Sequence, residues 1–236
     1  MGLNQASDNE LKALRQATGG NIEVLKGENG KIGAFNLDQA EGRTAFVQTL
    51  GLDAARSAKL TKLLDQADAF GRDELAGLAR IWARAESGQS VPGRLVFSGH
   101  SDGLKLWGES GRGSLTLGEI GRLADLFPAA AAKVEDIHLS GCNTGYRSNA
   151  QFWREHFPNL HSFWGYTHTA PSSSYASPAH LKTWESATRG AVQSLSRPQL
   201  LQELKSAARS GNLAVWSRAL DYQSALPGKN MGLDEI

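Results

Sequence analysis

The chain is 236 residues long, carries a formal net charge of +1, and contains 40% apolar and 21% charged residues. Those values fit one α/β domain or two small ones, and they leave no electrostatic footprint for nucleic acid or anionic lipid. The single cysteine, Cys142, excludes an internal disulfide, and no Cys/His cluster has zinc-ligand spacing.

Residues 1–90 read as a mainly helical N-terminal region packing on the core. A helical stretch covers Glu10–Gln16 and ends at Gly19-Gly20. Two short strands are expected at Ile22–Leu25 and Lys31–Phe35, split by the turn formers Gly27-Glu28-Asn29-Gly30. Leu60, Leu63, Leu64 and Ala67 then recur at helical spacing, as do Leu75, Leu78, Ala79 and Trp82. Asp73 is placed to cap the second of these helices.

From residue 91 to 220 the pattern alternates. Strand Leu95–Phe97 leads to His100, and Leu104–Trp107 forms a short extra strand. Leu117, Ile120, Leu123, Ala124 and Phe127 mark a helix. Strand Ile137–Leu139 leads to Cys142, helix Ser148–Phe157 stops at Pro158, and Leu160–Tyr166 is another strand. Helices follow at Pro178–Ala187 and Pro198–Ala208, and residues 221–236 read as a flexible tail. The expected fold is α/β, a mostly parallel sheet flanked by helices on both faces.

Two of these strands share one layout. Phe97-Ser98-Gly99-His100 and Leu139-Ser140-Gly141-Cys142 each end in Ser-Gly and then deliver a reactive side chain. Ligands of open parallel sheets bind beyond the carboxyl ends of the strands, which is where His100, Cys142 and Tyr166–Thr169 fall. A thiol needs a nearby base to act as a nucleophile, and a histidine on the neighbouring strand end can take its proton and return it to a leaving amine. Backbone N–H groups in the turns can hold the oxyanion, a donor worth about 3 kcal/mol of barrier. Singly, Cys142 reads rather as a small buried hydrophobe and His100 as a loop residue; their pairing on two matching strand ends favours the catalytic reading.

An apolar strand then His, followed by an apolar strand then a small residue and Cys, resembles the caspase-like cysteine peptidases. The hairpin after His100 and the phrase Ser140-Gly141-Cys142-Asn143 are most similar to the bacterial CHAT and toxin self-processing members. The resemblance covers about residues 94–170 and implies a bacterial thiol protease with Cys142 as nucleophile and His100 as general acid/base. It further implies oxyanion donors at the backbone N–H of Cys142 and of the residue after the histidine, here Ser101 where the family has glycine. A protein or peptide substrate is implied, along with an activating partner or ligand in some relatives. No cofactor, metal, nucleic acid or membrane is expected.

Trp164 and Tyr166 alternate on one strand, so both fall on one face and are candidates to wall a substrate pocket; the other reading is core packing. Asp102 is a candidate to attract a basic substrate side chain, or a turn former between Ser101 and Gly103. His138, His156, His161 and His180 read as structural or surface residues. Trp82, Trp153, Trp184 and Trp216 read as core residues on helices.

Two rival readings stand. Gly99-His100-Ser101-Asp102-Gly103 matches the G-x-S-x-G elbow of α/β-hydrolase esterases, with Ser101 as nucleophile, although no helix is expected directly after it. A catalytically silent caspase-like scaffold that binds a partner is the other. Met1-Gly2-Leu3-Asn4-Gln5-Ala6 holds no apolar signal core, so the expected location is the cytoplasm, or outside the cell without a classical signal peptide.

Overall fold

The computed structural model describes residues 1, 7–20, 22–25, 29–109, 113–171, 176–188, 197–207, 212–217 and 221–223. The fold is α/β. Helix α1 (Ser7–Thr18) is followed by an irregular segment at 22–25, where a strand was expected. Strands β1 (Lys31–Ile32) and β2 (Phe35–Asn36) pair antiparallel, because Gly33 takes a φ of 59° and turns the chain inside what reads as one strand. Of the turn expected at Gly27-Glu28-Asn29-Gly30, between Ile22–Leu25 and Lys31–Phe35, Gly27 and Glu28 lie outside the described residues.

Three helices come next: α2 (Ala40–Gln48), α3 (Ala54–Gln66) and α4 (Arg72–Glu86). Asp53 caps α3 by accepting from the Arg56 N–H. The cap of α4 is Gly71 and not Asp73, which lies buried in the first turn. A Cβ on Gly71 would sit 1.6 Å from the Ser114 carbonyl oxygen, so the approach of that segment requires glycine. Asp73 is spent elsewhere, accepting from the Gly30 N–H at 3.1 Å.

The main sheet contains β3 (Arg94–Ser98), β7 (Asp136–Ser140), β8 (Ser162–Tyr166), β9 (Leu213–Ser217) and β10 (Asp221–Gln223), in the order β10-β9-β8-β7-β3. β3, β7 and β8 run parallel, whereas β9 and β10 are antiparallel to their neighbours, so the sheet is mixed and not mostly parallel. The reason lies in the connection. One crossover helix returns a chain to the start of the next parallel strand. Here α8 (Ala176–Thr188) and α9 (Arg197–Ala207) both intervene, and β9 enters from the opposite end. Trp216 therefore packs from strand β9 and not from a helix. Asp221–Gln223 belongs to the sheet, while residues 224–236 lie outside the described ones.

A second, three-stranded sheet holds β4 (His100–Ser101), β5 (Lys105–Trp107) and β6 (Leu115–Thr116). Helix α5 (Leu117–Leu126) follows with a capping box between Thr116 and Glu119. The short α6 (Pro128–Ala131) then leads to β7, and α7 (Arg147–His156) connects β7 to β8.

All five residues of β7 and of β8 are buried, as expected of strands covered on both faces. Phe97, Ile137, Leu139, Phe163 and Trp216 share one apolar cluster with side chains of α2 to α7. Trp164, Tyr166, Leu213 and Val215 share another with Leu181 and Trp184 of α8 and Leu204 of α9. Each large side chain removed from water in this way contributes roughly 1.5–3 kcal/mol.

Candidate active site

β3 and β7 are neighbours in register, and Ser98 pairs with Ser140 at the carboxyl end of the ladder. The Gly99 N–H carries the pairing one step further, donating to the Ser140 carbonyl at 3.1 Å. His100 and Cys142 thus leave adjacent strands after the same single glycine.

Glycines let the two chain ends touch. A Cβ on Gly141 would lie 2.9 Å from the Ser101 Cβ and 3.0 Å from the Gly99 carbonyl oxygen. Gly103, at a φ of +105°, would place one 2.7 Å from the Asn143 carbonyl oxygen. The hairpin that carries His100 and the loop that carries Cys142 are therefore in van der Waals contact on both sides of the pair.

His100 is exposed, and its ring centroid lies 6.2 Å from that of Trp107, its cross-strand partner. Cys142 is half-buried, and its Sγ accepts a hydrogen bond from the Ala170 N–H at 3.3 Å. The loop around it is tightly held. Asn143 sits in the left-handed region at a φ of 58° and donates its N–H to the His168 carbonyl at 2.9 Å. The Thr144 hydroxyl bonds the carbonyls of Leu139 and Gly141, and Trp216 Nε1 donates to the Gly145 carbonyl at 2.8 Å. Asn149 of α7 donates from Nδ2 to the carbonyls of Gly103 and Thr144.

Ser101 does not occupy a nucleophile elbow. It is buried in β4, its Oγ accepts from the Gly103 N–H at 2.9 Å, and a β-hairpin follows it instead of a helix. Asp102 is the turn former of that hairpin: its Oδ1 accepts from the N–H groups of Leu104 and Lys105. Partial burial works against its ionisation, but those two donors, its own N–H and the Lys105 charge together hold the carboxyl below its ordinary value.

Trp164 and Tyr166 do share a face, but that face is covered. They are 2% and 0% exposed beneath α8 and α9, so they are core residues and not walls of an open pocket. The Tyr166 hydroxyl pairs with His180 Nδ1 at 3.1 Å. His138 is also fully buried, and burial pushes its imidazole down to about 3. His156 pairs with Asp125, and His161 is exposed.

Sequence reasoning missed a buried polar group directly under the Cys142 strand. Glu10 of α1 accepts from the hydroxyls of Ser140 and Ser177. It also missed Asn149 and the Ala170 N–H. A polar residue on the apolar side of α1 was the available signal for Glu10; a main-chain donor such as Ala170 leaves none.

Among the described residues, no three His, Cys, Asp or Glu side chains gather to hold a metal ion, and no helix is long and apolar enough to cross a membrane. No family model, curated protein or solved structure matches the chain.

Proposed function

We propose that the protein is a cysteine endopeptidase of caspase-like layout, in which Cys142 and His100 form a catalytic dyad. The observation that carries this reading is the Ser98–Ser140 register, which sends a histidine and the chain's single cysteine off adjacent parallel strands through touching glycines. Apolar packing against both strand faces, by α2–α7 and by α8–α9, fits the same layout.

In this mechanism His100 takes the Cys142 thiol proton as Sγ attacks the substrate carbonyl carbon. Charge builds on the carbonyl oxygen, and the backbone N–H groups of Cys142 and Ser101 are assigned to hold it. The tetrahedral intermediate collapses, the C–N bond breaks, and His100 returns the proton to the leaving amine. Water, with His100 now as base, then hydrolyses the thioester and restores the thiol. The reaction needs no electron carrier. The substrate is a protein or peptide, and an activating partner or ligand is compatible with the half-buried sulfur beneath the Ala170 segment. A bacterial source is the proposed origin.

The test is a panel of fluorogenic peptide amides that vary in the residue before the scissile bond. The wild type is expected to cleave a subset, and Cys142→Ala and His100→Ala to cleave none above background. Cleavage that survives Cys142→Ala would overturn the reading, and its loss in Ser101→Ala would point back to a serine enzyme.

A further inference from the structure

We infer that Asn149 is a positioning residue, whose side-chain amide fixes the His100 hairpin against the Cys142 loop and so sets how the two reacting groups approach. Asn149 lies in the first turn of α7 and is 5% exposed. Its Nδ2 donates to the Gly103 carbonyl at 2.9 Å and to the Thr144 carbonyl at 3.0 Å. Gly103 follows His100 by three residues, and Thr144 follows Cys142 by two. Each amide proton is therefore spent on a different loop.

The chemistry of the amide makes the assignment firm. Both partners are carbonyl oxygens, which only accept, so the NH₂ end must face them. Two carbonyl oxygens turned toward one point repel unless a donor stands between them. The planar NH₂ group supplies two protons at a fixed angle, which sets the separation of the two carbonyls and of the loops that carry them. The bare α-carbons of Gly103 against the Asn143 carbonyl and of Gly141 against Ser101 also bring these loops together, but they supply closeness and no direction. Asn149 adds the direction, and it does so from a helix whose Trp153 is fully buried in the core.

The catalytic meaning of this clamp rests on the Cys142–His100 reading, whereas the clamp itself does not. The experiment separates the two. Hydrogen exchange is measured at Gly103, Asn143 and Thr144 in the wild-type chain and in Asn149→Ala. Cys142 alkylation by iodoacetamide is measured in both, and again with His100→Ala added. Faster exchange confined to these loops is expected, together with an alkylation rate about tenfold lower when His100 is present and changed less than about twofold when it is absent, since a displacement of about an ångström can cost up to a hundredfold. Unchanged exchange overturns the clamp whatever His100 does. Equal rate losses in both backgrounds overturn the positioning role and leave general loosening. If His100→Ala has no effect on alkylation by itself while the loops exchange faster, the dyad reading falls and the clamp stands. Asn149→Ser retains one donor; it replaces the alanine variant if that one does not fold, and its loop exchange is expected to exceed that of the wild type.

Discussion

Ser98 and Ser140 face each other at the last rung of a parallel ladder, and from each the chain passes through one glycine to a reactive side chain. Register is the decisive property here. Side chains alternate along a strand, so a slip of one residue in either partner would turn its whole apolar set to the other face and separate His100 from Cys142. Phe97 and Leu139, both buried in the same cluster, hold that register.

The closeness of the two loops depends on missing side chains. Gly141→Ala introduces a Cβ 2.9 Å from that of Ser101, and Gly103→Ala one 2.7 Å from the Asn143 carbonyl, at a φ unfavourable to alanine. Each is expected to cost roughly 1–3 kcal/mol in urea unfolding and to lower peptide cleavage more than it lowers substrate affinity. A kcat/KM within twofold of wild type for both variants would show that the contact does not matter.

Ser101 contributes a hydroxyl that closes its own turn. Ser101→Ala is expected to lose about 1 kcal/mol of stability and to keep kcat/KM within a fewfold of wild type. Thermal melts and the amide panel read the two effects independently.

Tyr166→Phe removes a buried hydroxyl paired with His180. A stability loss of about 1 kcal/mol is expected, with the order of preferred substrates unchanged across the panel. A changed preference would put Tyr166 back at a substrate pocket.

Buried groups of opposite slope shape the response to pH. Burial, helped by a hydrogen bond to Asp73, pushes the Glu74 carboxyl on α4 up from 4.5 to about 9. Between those values the unfolded chain has lost a proton that the folded chain keeps, so stability falls as pH rises. His138 has the opposite slope: below 6.5 the unfolded chain gains a proton that the folded chain refuses until about 3. Above 8.0 the His138 contribution is complete, and so is that of the buried Met1 amine, which burial pushes down from 8.0 to about 6; there Glu74 is expected to set a decline of at most about 1.4 kcal/mol per pH unit. Denaturation curves across that alkaline range should flatten in Glu74→Gln; an unaltered slope would show that Glu74 ionises normally.

The parts legible in the sequence were those set by local pattern. β3 and β7 are short apolar runs closed by Ser-Gly, and α5 has its period written in the chain at Leu117, Ile120, Leu123 and Ala124. β9 was not legible, because Leu213-Ala214-Val215-Trp216 is too short to show a period and fits a buried helix turn equally well. Alternation placed Trp164 and Tyr166 on one face but carried no information on whether α8 and α9 cover it. Asn149 was hidden for a related reason: one of its partners, Gly103, lies 46 residues away, and only the meeting of two loops makes that side chain a bridge.

The most direct test of the Cys142–His100 pairing uses the fact that the chain has one cysteine. Wild-type protein and His100→Ala are treated with limiting iodoacetamide across pH and read by intact mass. The dyad predicts fast labelling near neutral pH that slows about tenfold in the variant. Labelling at the rate of an ordinary thiol, equal in the two proteins, would contradict it.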